Sequence, residues 1–291
     1  GGLDMSNQIT AACVQQYSNN VQMLSQQKGS LLRGVVDVES VVGKHAYFER
    51  IGAVSAQKRV SRHSDTPQID TPHSRRRVSM SDFEWADLID QQDRVRTLID
   101  PTSSYALAAA YAMGRSMDDE IIAAVSGNAF GGETGSTTIA LPAGQKITES
   151  GTAGLTIAKL RSAKETLDSA SVDPSLPRTI VVGPRQITDL LGTTEVTSSD
   201  FNTVKALANG EINQFMGFNF IVSNRLAINS SKRECLLFTN DAIKLALGKD
   251  VVTRIDERSD KGYATQVYVC MTMGATRLED EKVITIQAHE A

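Results

Sequence analysis

The chain has 291 residues, more than an average single domain, and its 41% hydrophobic and 22% charged residues can fill a globular core. No apolar run approaches the ~20 residues of a membrane span and no signal peptide is visible, so we expect a soluble protein without a membrane partner. The net charge of −4 argues against generic DNA wrapping, and three widely spaced cysteines indicate neither disulfides nor a zinc site. We treat residues 1–4, which precede Met5, as outside the fold.

The leading segment, residues 6–30, is polar and rich in glutamine, with scattered apolar positions. The spacing of these positions is typical of a weak amphipathic helix with too few hydrophobic residues to be stable alone. Such a segment needs another surface to order it. Two interpretations stay open: an arm that reaches onto a neighbouring subunit, or a frayed terminus.

Residues 44–90 predict a long two-stranded excursion. One run rich in β-branched and aromatic residues covers residues 41–54, and a second covers residues 75–88. The apolar alternation of the second run slips by one near Ser81, as a β-bulge would cause. Polar residues with two Thr-Pro steps separate the runs and favour an open tip. Because a lone hairpin is marginally stable in water, this one must lie against another surface.

Charge is distributed in two adjacent blocks of opposite sign. Residues 56–80 carry six basic and two acidic side chains, whereas residues 81–100 carry six acidic and two basic ones. Surfaces of opposite sign that cannot meet within one subunit can meet between subunits. The predicted basic contact residues are Lys58, Arg59, Arg62, Arg75, Arg76 and Arg77.

The arginine run within the basic block has two other interpretations, binding of nucleic acid phosphates and a solvated surface. Proline-rich flanks, few aromatic residues nearby and the complementary acidic block favour the contact between subunits. Lys58 is the only lysine near the tip, and nothing identifies a partner for a covalent crosslink, so we predict none.

The clearest helix begins near Pro101, with proline in its first turn, and ends near Ser126. Apolar residues recur along it at helical spacing, and alanine and glycine within this stripe permit close packing against a sheet. An acidic run on the same helix is assigned to an exposed face of the contact. The predicted acidic partner face therefore comprises Asp82, Glu84, Asp87, Asp118, Asp119 and Glu120.

The second half of the chain alternates between helices and strands. Residues 127–154 predict a loop or hairpin, and the alternation that follows, within residues 150–232, implies an α/β lobe. Strands dominate residues 233–291, with one short helix predicted from Ala242 to Leu247. In two of these strands, every second residue lies on a common apolar face.

Motifs of enzymatic chemistry are missing from the sequence. It contains no Gly-x-Ser-x-Gly motif of a nucleophilic serine and no complete phosphate-binding Gly-x-x-x-x-Gly-Lys motif. The four histidines include no pair at the helical i, i+4 spacing of a metal site. We therefore predict no catalytic residues, no metal ligands and no cofactor.

These features, in this order, resemble the major capsid proteins of tailed bacteriophages, which have the Hong Kong-phage-type capsid fold. The most specific stretches are DTPQIDTPHSRRR at residues 65–77, IDPTS at residues 99–103 and NQFMGFNF at residues 213–220. These stretches are similar to one podophage-like subgroup of capsid proteins. The resemblance covers nearly the whole chain from Met5.

The resemblance implies an α+β capsid fold with five parts. These are an N-terminal arm (1–43), an extension-loop hairpin (44–90), a peripheral domain with a spine helix (91–149), an α/β axial domain (150–232), and return strands of the axial and peripheral domains (233–291). In this fold the extension loop lies over the peripheral domain of a neighbour.

The implied function is self-assembly, through pentamers and hexamers, into the icosahedral head shell that encloses the double-stranded DNA genome. The implied location is the virion, after assembly in the cytoplasm of the bacterial host. The implied partners are copies of the chain, the portal, a decoration protein in some relatives, and packaged DNA contacted on the inner face without sequence specificity. Because the chain starts almost directly with the arm, a separate scaffolding protein is also expected.

Two other functions remain open. An encapsulin-like nanocompartment shell has the same fold but encloses an enzyme, and a phage gene neighbourhood or a DNA-filled particle would separate it from a virus shell. An α/β enzyme could use the acidic residues of the long helix, and a small oligomer with a ligand-sized pocket would favour that function.

The sequence makes one direct prediction about the arginine run. Reversal of Arg75, Arg76 and Arg77 to glutamate is expected to leave a folded subunit that assembles poorly, because opposite charges would no longer meet between subunits. Electron microscopy of the purified variant measures the yield of shells. Normal shells at normal yield would contradict the electrostatic contact.

Overall fold

The computed structural model describes residues 25–59, 61–62, 65–66, 68–90, 102–148, 151–192 and 214–290. The amphipathic helix predicted in the leading segment lies mostly outside these ranges. So does the start of the long helix at Pro101.

Helices and strands of the described ranges are numbered in chain order. The helices are α1 (Thr102–Ser126), α2 (Ile157–Ser169) and α3 (Pro184–Leu191). The strands are β1 (Asp37–Ser40), β2 (His45–Ile51), β3 (His73–Ser79), β4 (Ser81–Ile89), β5 (Ala129–Gly131), β6 (Thr137–Ile139), β7 (Lys146–Ile147), β8 (Arg178–Val182), β9 (Gln214–Phe215), β10 (Phe218–Val222), β11 (Ile228–Asn229), β12 (Lys232–Thr239), β13 (Ile243–Arg258), β14 (Ala264–Arg277) and β15 (Val283–His289).

The strands form three sheets. The long-strand sheet has the order β1-β13-β14-β4, and the hairpin sheet has the order β2-β3-β5-β6. A seven-stranded sheet has the order β7-β15-β12-β8-β10-β9, with β11 paired to β12. This combination of helices with mixed sheets is an α+β architecture.

Helix α1 packs on the long-strand sheet and forms the first hydrophobic core. Its buried residues Met113, Met117 and Ile121 recur at helical spacing and lie in one cluster with Val269 and Met271 of β14. The predicted apolar stripe of the long helix is therefore confirmed. The alternation predicted for β14 is confirmed too, since Val269, Met271 and Met273 all lie in the first core.

The seven-stranded sheet is covered on both faces, because consecutive residues of its strands enter different cores. Val181 and Leu236 belong to the first core, while Ile180 and Leu237 belong to a second core formed with α2 and α3. The buried strand β8 is accordingly apolar over Ile180, Val181 and Val182, as expected for a strand with two buried faces. This sheet joins the two halves of the chain.

The short helix predicted from Ala242 to Leu247 is wrong. From Ile243 these residues begin β13, which pairs with β1 on one side and β14 on the other. Ile243, Leu245 and Leu247 alternate into the first core, which is a strand period. Packing against α1 and two neighbouring strands thus overrides the helical preference of alanine and leucine.

The predicted excursion is shorter than residues 44–90. Strands β2 and β3 form its hairpin, with His45 opposite Ser79 and Ile51 opposite His73. Strand β4 instead pairs with β14 in another sheet, so the predicted second run is two strands separated by Met80. The slip near Ser81 is a change of sheet, and the predicted bulge is wrong.

Gly274 makes room for this change of sheet. A side chain at Gly274 would place its Cβ 2.3 Å from the carbonyl oxygen of Ser79. Only the bare backbone of β14 leaves space for the chain to cross from β3 to β4.

Candidate assembly interface

The tip of the hairpin extends into solvent. Every described residue from Ile51 to Ser74 is exposed, including the predicted contact residues Lys58, Arg59 and Arg62. Large apolar side chains are exposed in the same segment: Ile51 is 68% and Val54 is 58% accessible. Apolar and cationic side chains thus share a surface that the described part of the chain does not cover.

The arginine run lies in β3, where successive side chains point to opposite faces. Arg75 and Arg77 therefore share the outer face of the hairpin sheet. Arg75 makes an ion pair with Glu49 at 2.9 Å, and its guanidinium lies 5.7 Å from the ring centre of Tyr47. The guanidinium of Arg77 lies 5.4 Å from the ring centre of Phe130. Both side chains are half-buried and still present positive charge at this face.

Arg76 points the other way, into the body of the same chain, and is 2% exposed. Its Nη2 donates to Oδ2 of Asp280 at 2.8 Å, and its Nε donates to the Leu278 carbonyl at 3.3 Å. The assignment of Arg76 to a contact between subunits is therefore wrong. Three consecutive arginines cannot all face a partner from one strand, because strand geometry turns every second side chain away.

Three acidic residues of the acidic block lie on β4, which is an edge strand of the long-strand sheet. Asp82, Glu84 and Asp87 are all exposed. Asp82 and Glu84 share one face, where they accept hydrogen bonds from Thr272 at 2.6 Å and from Tyr268 at 2.9 Å. Asp87 lies on the opposite face, so the predicted acidic face is divided.

Tyr268 donates a hydrogen bond to Glu84. The hydrogen bond to Glu84 raises the pKa of Tyr268 to about 12, so the phenol is a neutral donor at neutral pH. This hydrogen bond orients the side chain of Glu84. The outer face of the long-strand sheet therefore offers two oriented carboxylates.

The acidic run on α1 does not form an exposed face. Asp118 is fully buried and accepts four hydrogen bonds, all from an earlier segment of the chain. The donors are the side chains of Gln27 and Ser30, both at 2.5 Å, and the backbone amides of Leu31 and Leu32, both at 3.1 Å. The assignment of Asp118 to a subunit contact is wrong, because its carboxylate is saturated within its own chain.

The other two acids of that run also interact within the chain. Asp119 makes a two-pronged ion pair with Arg225, and the exposed fractions of the two side chains are 47% and 32%. Glu120 is half-buried. Burial raises the pKa of Glu120, and the adjacent Asp119 carboxylate raises it further. These two residues are weaker candidates for a contact than the acids of β4.

Residues 26–32, named the strap, cross α1 at Gly114. A Cβ at Gly114 would lie 2.5 Å from the carbonyl carbon of Gly29, so the strap touches the helix backbone directly. Arg115 adds hydrogen bonds to the Gln26 side chain at 2.9 Å and the Gln27 carbonyl at 3.2 Å. The sequence did not predict the strap. The only signals for it in the sequence were Gly114 and Asp118, which lie four residues apart on the apolar side of α1.

The strap bears on the two interpretations of the leading segment. Residues 25–36 are folded onto α1 of their own chain, and Leu32 is fully buried in the first core. The described end of the leading segment, residues 25–30, therefore packs on its own chain. Residues 6–24 lie outside the described ranges.

Two further properties concern ligands and membranes. In the ranges that the structure describes, no three His, Cys, Asp or Glu side chains are grouped so that they could hold a metal ion. None of the described helices is long and apolar enough to cross a membrane.

Comparisons with known proteins identify the fold. The phage capsid protein family matches residues 9–290. The capsid of cyanophage P-SCSP1u has a TM-score of 0.75 and 19% identity, and the match covers 97% of this chain and 95% of that chain. The capsid of Ralstonia phage GP4 has a TM-score of 0.73 and 13% identity, with 96% of each chain covered. A structure of Mycobacterium phage Che8 has a TM-score of 0.70 and 15% identity, with 94% of this chain and 96% of that chain covered.

The structural matches share little sequence and therefore concern the fold alone. They confirm the predicted α+β capsid fold of tailed phages. No curated protein matches this chain in sequence.

Gly114 provides a test of the strap. Gly114→Ala is expected to lower the free energy of unfolding by about 1–3 kcal/mol, because the new methyl group overlaps the backbone at Gly29. Urea unfolding of the unassembled subunit measures this change. Gly144→Ala is the matched control, since a Cβ there meets nothing within 4 Å, and should change stability by less than about 0.5 kcal/mol. Equal effects of the two variants would argue against the crossing.

A second test concerns the opposite orientations of the Arg75 and Arg76 side chains. Arg76→Glu is expected to cost about 3–5 kcal/mol, because it removes a buried partner of Asp280 and adds a like charge. Arg75→Glu should cost about 0–1 kcal/mol, since its pair with Glu49 is solvent-exposed. Urea unfolding compares the two, and equal costs would contradict the opposite orientations. The triple reversal of residues 75–77 therefore cannot separate folding from assembly.

Proposed function

Because the chain belongs to the phage capsid protein family, we propose that it builds the head shell by laying the tip of its hairpin over the long-strand sheet of a neighbouring copy. The protein is a major capsid protein, a structural component of the virion that assembles with copies of itself and has no enzymatic role. The proposal concerns which surfaces make the contact.

The exposed hairpin tip carries the proposal. A segment from Ile51 to Ser74 whose described residues are all accessible loses conformational entropy without any compensating burial in the single subunit. Its accessible apolar side chains contribute to stability only when another surface covers them. In an assembly of identical subunits, that surface belongs to another copy.

Charge complementarity favours the long-strand sheet as the receiving surface. Lys58, Arg59 and Arg62 lie in the exposed tip, and Asp82 and Glu84 share one exposed face of β4. A contact between these groups would orient the tip and exclude wrong partners more than it would add affinity. Arg75 and Arg77 lie at the base of the same hairpin and extend its positive surface.

We keep the proposed division of the capsid fold into five parts with one change, which moves β4 from the extension loop to the peripheral domain. Residues 25–43 form the described part of the arm, residues 45–79 form the extension loop, and β4 joins the peripheral domain with α1, β13 and β14. The axial domain is built around α2, α3 and the seven-stranded sheet. Pairing of β4 with β14 supports this division, because β4 shares its backbone hydrogen bonds with the long-strand sheet.

The shell is proposed to be icosahedral, with the chain in pentamers and hexamers, and to enclose double-stranded DNA. Repeated contacts of one subunit close into a shell when their geometry closes, and several weak contacts per subunit give stability through multivalency. A separate scaffolding protein, the portal and a decoration protein are proposed partners. Contact with packaged DNA would be sparse and independent of sequence. The stretches at residues 65–77, 99–103 and 213–220 support a podophage-like subgroup.

The two other functions have no structural observation in their favour. An encapsulin-like shell would need a packaged enzyme, and the matching family is one of phage capsid proteins. An enzyme that uses the acids of α1 would need them accessible, but Asp118 is buried under the strap and Asp119 is paired with Arg225.

The tip contact is tested by reversing its charge. Lys58→Glu, Arg59→Glu and Arg62→Glu together should leave the subunit folded, because all three side chains are exposed, and should lower shell yield by about tenfold or more. Circular dichroism checks folding, and sedimentation with electron microscopy measures shells. The control exchanges lysine and arginine at the same positions and keeps the charge.

A compensating variant sharpens this test. Adding Asp82→Lys and Glu84→Lys to the reversed tip restores opposite charges between copies and should recover part of the yield. If the reversed variant assembles as well as the charge-preserving control, the tip contact is wrong.

A further inference from the structure

The base of the hairpin meets the body at a joint formed by Arg50, Arg76, Arg277 and Asp280. Arg50 on β2 and Arg76 on β3 lie on the same face, and both donate to the carbonyl oxygen of Leu278. Arg76 also donates to Asp280. Both strands of the hairpin thus reach the same turn of the body.

Arg277 holds that turn from the other side. It is fully buried, and its Nε donates to Oδ1 of Asp280 at 2.6 Å. Its remaining nitrogens donate to three carbonyl oxygens around the end of α1 and on β6: those of Val125 at 3.2 Å, Gly127 at 2.6 Å and Ile139 at 3.2 Å. Oδ1 of Asp280 therefore binds the body, and Oδ2 binds the hairpin.

Positive charge exceeds negative charge at the joint. Arg76 and Arg277 contact the carboxylate of Asp280, and the guanidinium of Arg50 lies beside them on the Leu278 carbonyl. Burial lowers the pKa of Arg76, Asp280 opposes this effect, and Arg50 and Arg277 add to it. Without Asp280, three cations would face one another in a partly buried site, and mutual repulsion would drive the hairpin from the body.

The other contacts at the base of the hairpin are a small apolar cluster, a short strand pairing and side-chain hydrogen bonds to the carbonyl oxygens of Glu133 and Thr134. The apolar cluster at its base contains only Phe48, Val78 and Ala246 as buried members, against much larger clusters in the two cores. Strand β3 pairs with β5 through two residue pairs, Arg76 with Gly131 and Arg77 with Phe130. Apolar contacts depend weakly on direction, whereas a carboxylate shared by two guanidiniums accepts a narrow range of geometries.

We propose that Asp280 is a positioning residue for assembly, which sets the angle between the hairpin and the body of the subunit. The link to assembly rests on the proposed function, because the angle determines where the tip meets a neighbouring copy. The angle itself is a property of the single subunit and can be measured without a shell.

The test measures the hairpin angle through a distance. Spin labels at Ser55→Cys on the tip and Ser169→Cys on α2 report hairpin-to-body distances in dilute, unassembled subunits, with Cys13 replaced by serine. Asp280→Asn keeps the shape of the side chain and removes its charge, and should widen the distance distribution about twofold. Asp250→Asn is the matched control, since Asp250 pairs with Arg33 at an exposed site and neither residue belongs to the hairpin. It should leave the distribution unchanged.

Shell assembly is measured in parallel by electron microscopy. A wider distribution with fewer or misshapen shells supports both the positioning role and the tip contact. A wider distribution with normal shells supports the role of Asp280 in setting the hairpin angle and overturns the proposed contact between the tip and a neighbouring copy. An unchanged distribution in Asp280→Asn overturns the positioning role, whatever the shells do.

A second variant tests the proposal in the case that Asp280→Asn does not fold. If Asp280→Asn does not fold, Arg76→Met removes only the hairpin side of the joint and leaves the Arg277–Asp280 pair in place. The same widening is expected from Arg76→Met. An unchanged distribution in this variant then overturns the proposal.

Discussion

The carboxylate of Asp280 is shared between the protruding hairpin of this subunit and its folded body. Arg277 anchors it to the end of α1 and to β6, and Arg76 anchors the hairpin to it. Burying two guanidiniums is costly unless their charge and their donors are matched, so this arrangement persists only in one geometry. The hairpin can therefore extend from the body with a defined direction, although little apolar surface holds its base.

The rest of the fold is organised so that the protruding parts need not stabilise the body. Two hydrophobic cores share the seven-stranded sheet, one with α1 and the long strands, the other with α2 and α3. The strap adds to the first core through Leu32 and through the bonds of Asp118. Because these cores are complete within the chain, the tip can expose apolar and cationic side chains without unfolding the subunit. An assembling protein needs this separation, since its contact surfaces must be free before its partners arrive.

Charge has two different roles in this subunit, and burial distinguishes them. Buried charges such as Arg76, Arg277 and Asp118 join segments of one chain, where the low dielectric makes an unpaired group costly. Exposed charges of the tip and of β4 are screened by solvent and add little stability by themselves. They are suited to orienting subunits during assembly, where weak contacts can form and break until the geometry closes.

The sequence by itself determined several of the regular elements and the family. The helical period of α1 and the alternation of β14 follow from local spacing, so they were predicted correctly. Tertiary structure alone decided which sheet each strand joins: β4 leaves the hairpin, and residues 243–247 become strand, because long-range pairing outweighs local preference. It also decided the partners of the charges. A run such as Arg75-Arg76-Arg77 shows charge but not direction, and only the position of the strand against the body turns Arg76 toward Asp280 and Arg75 toward solvent.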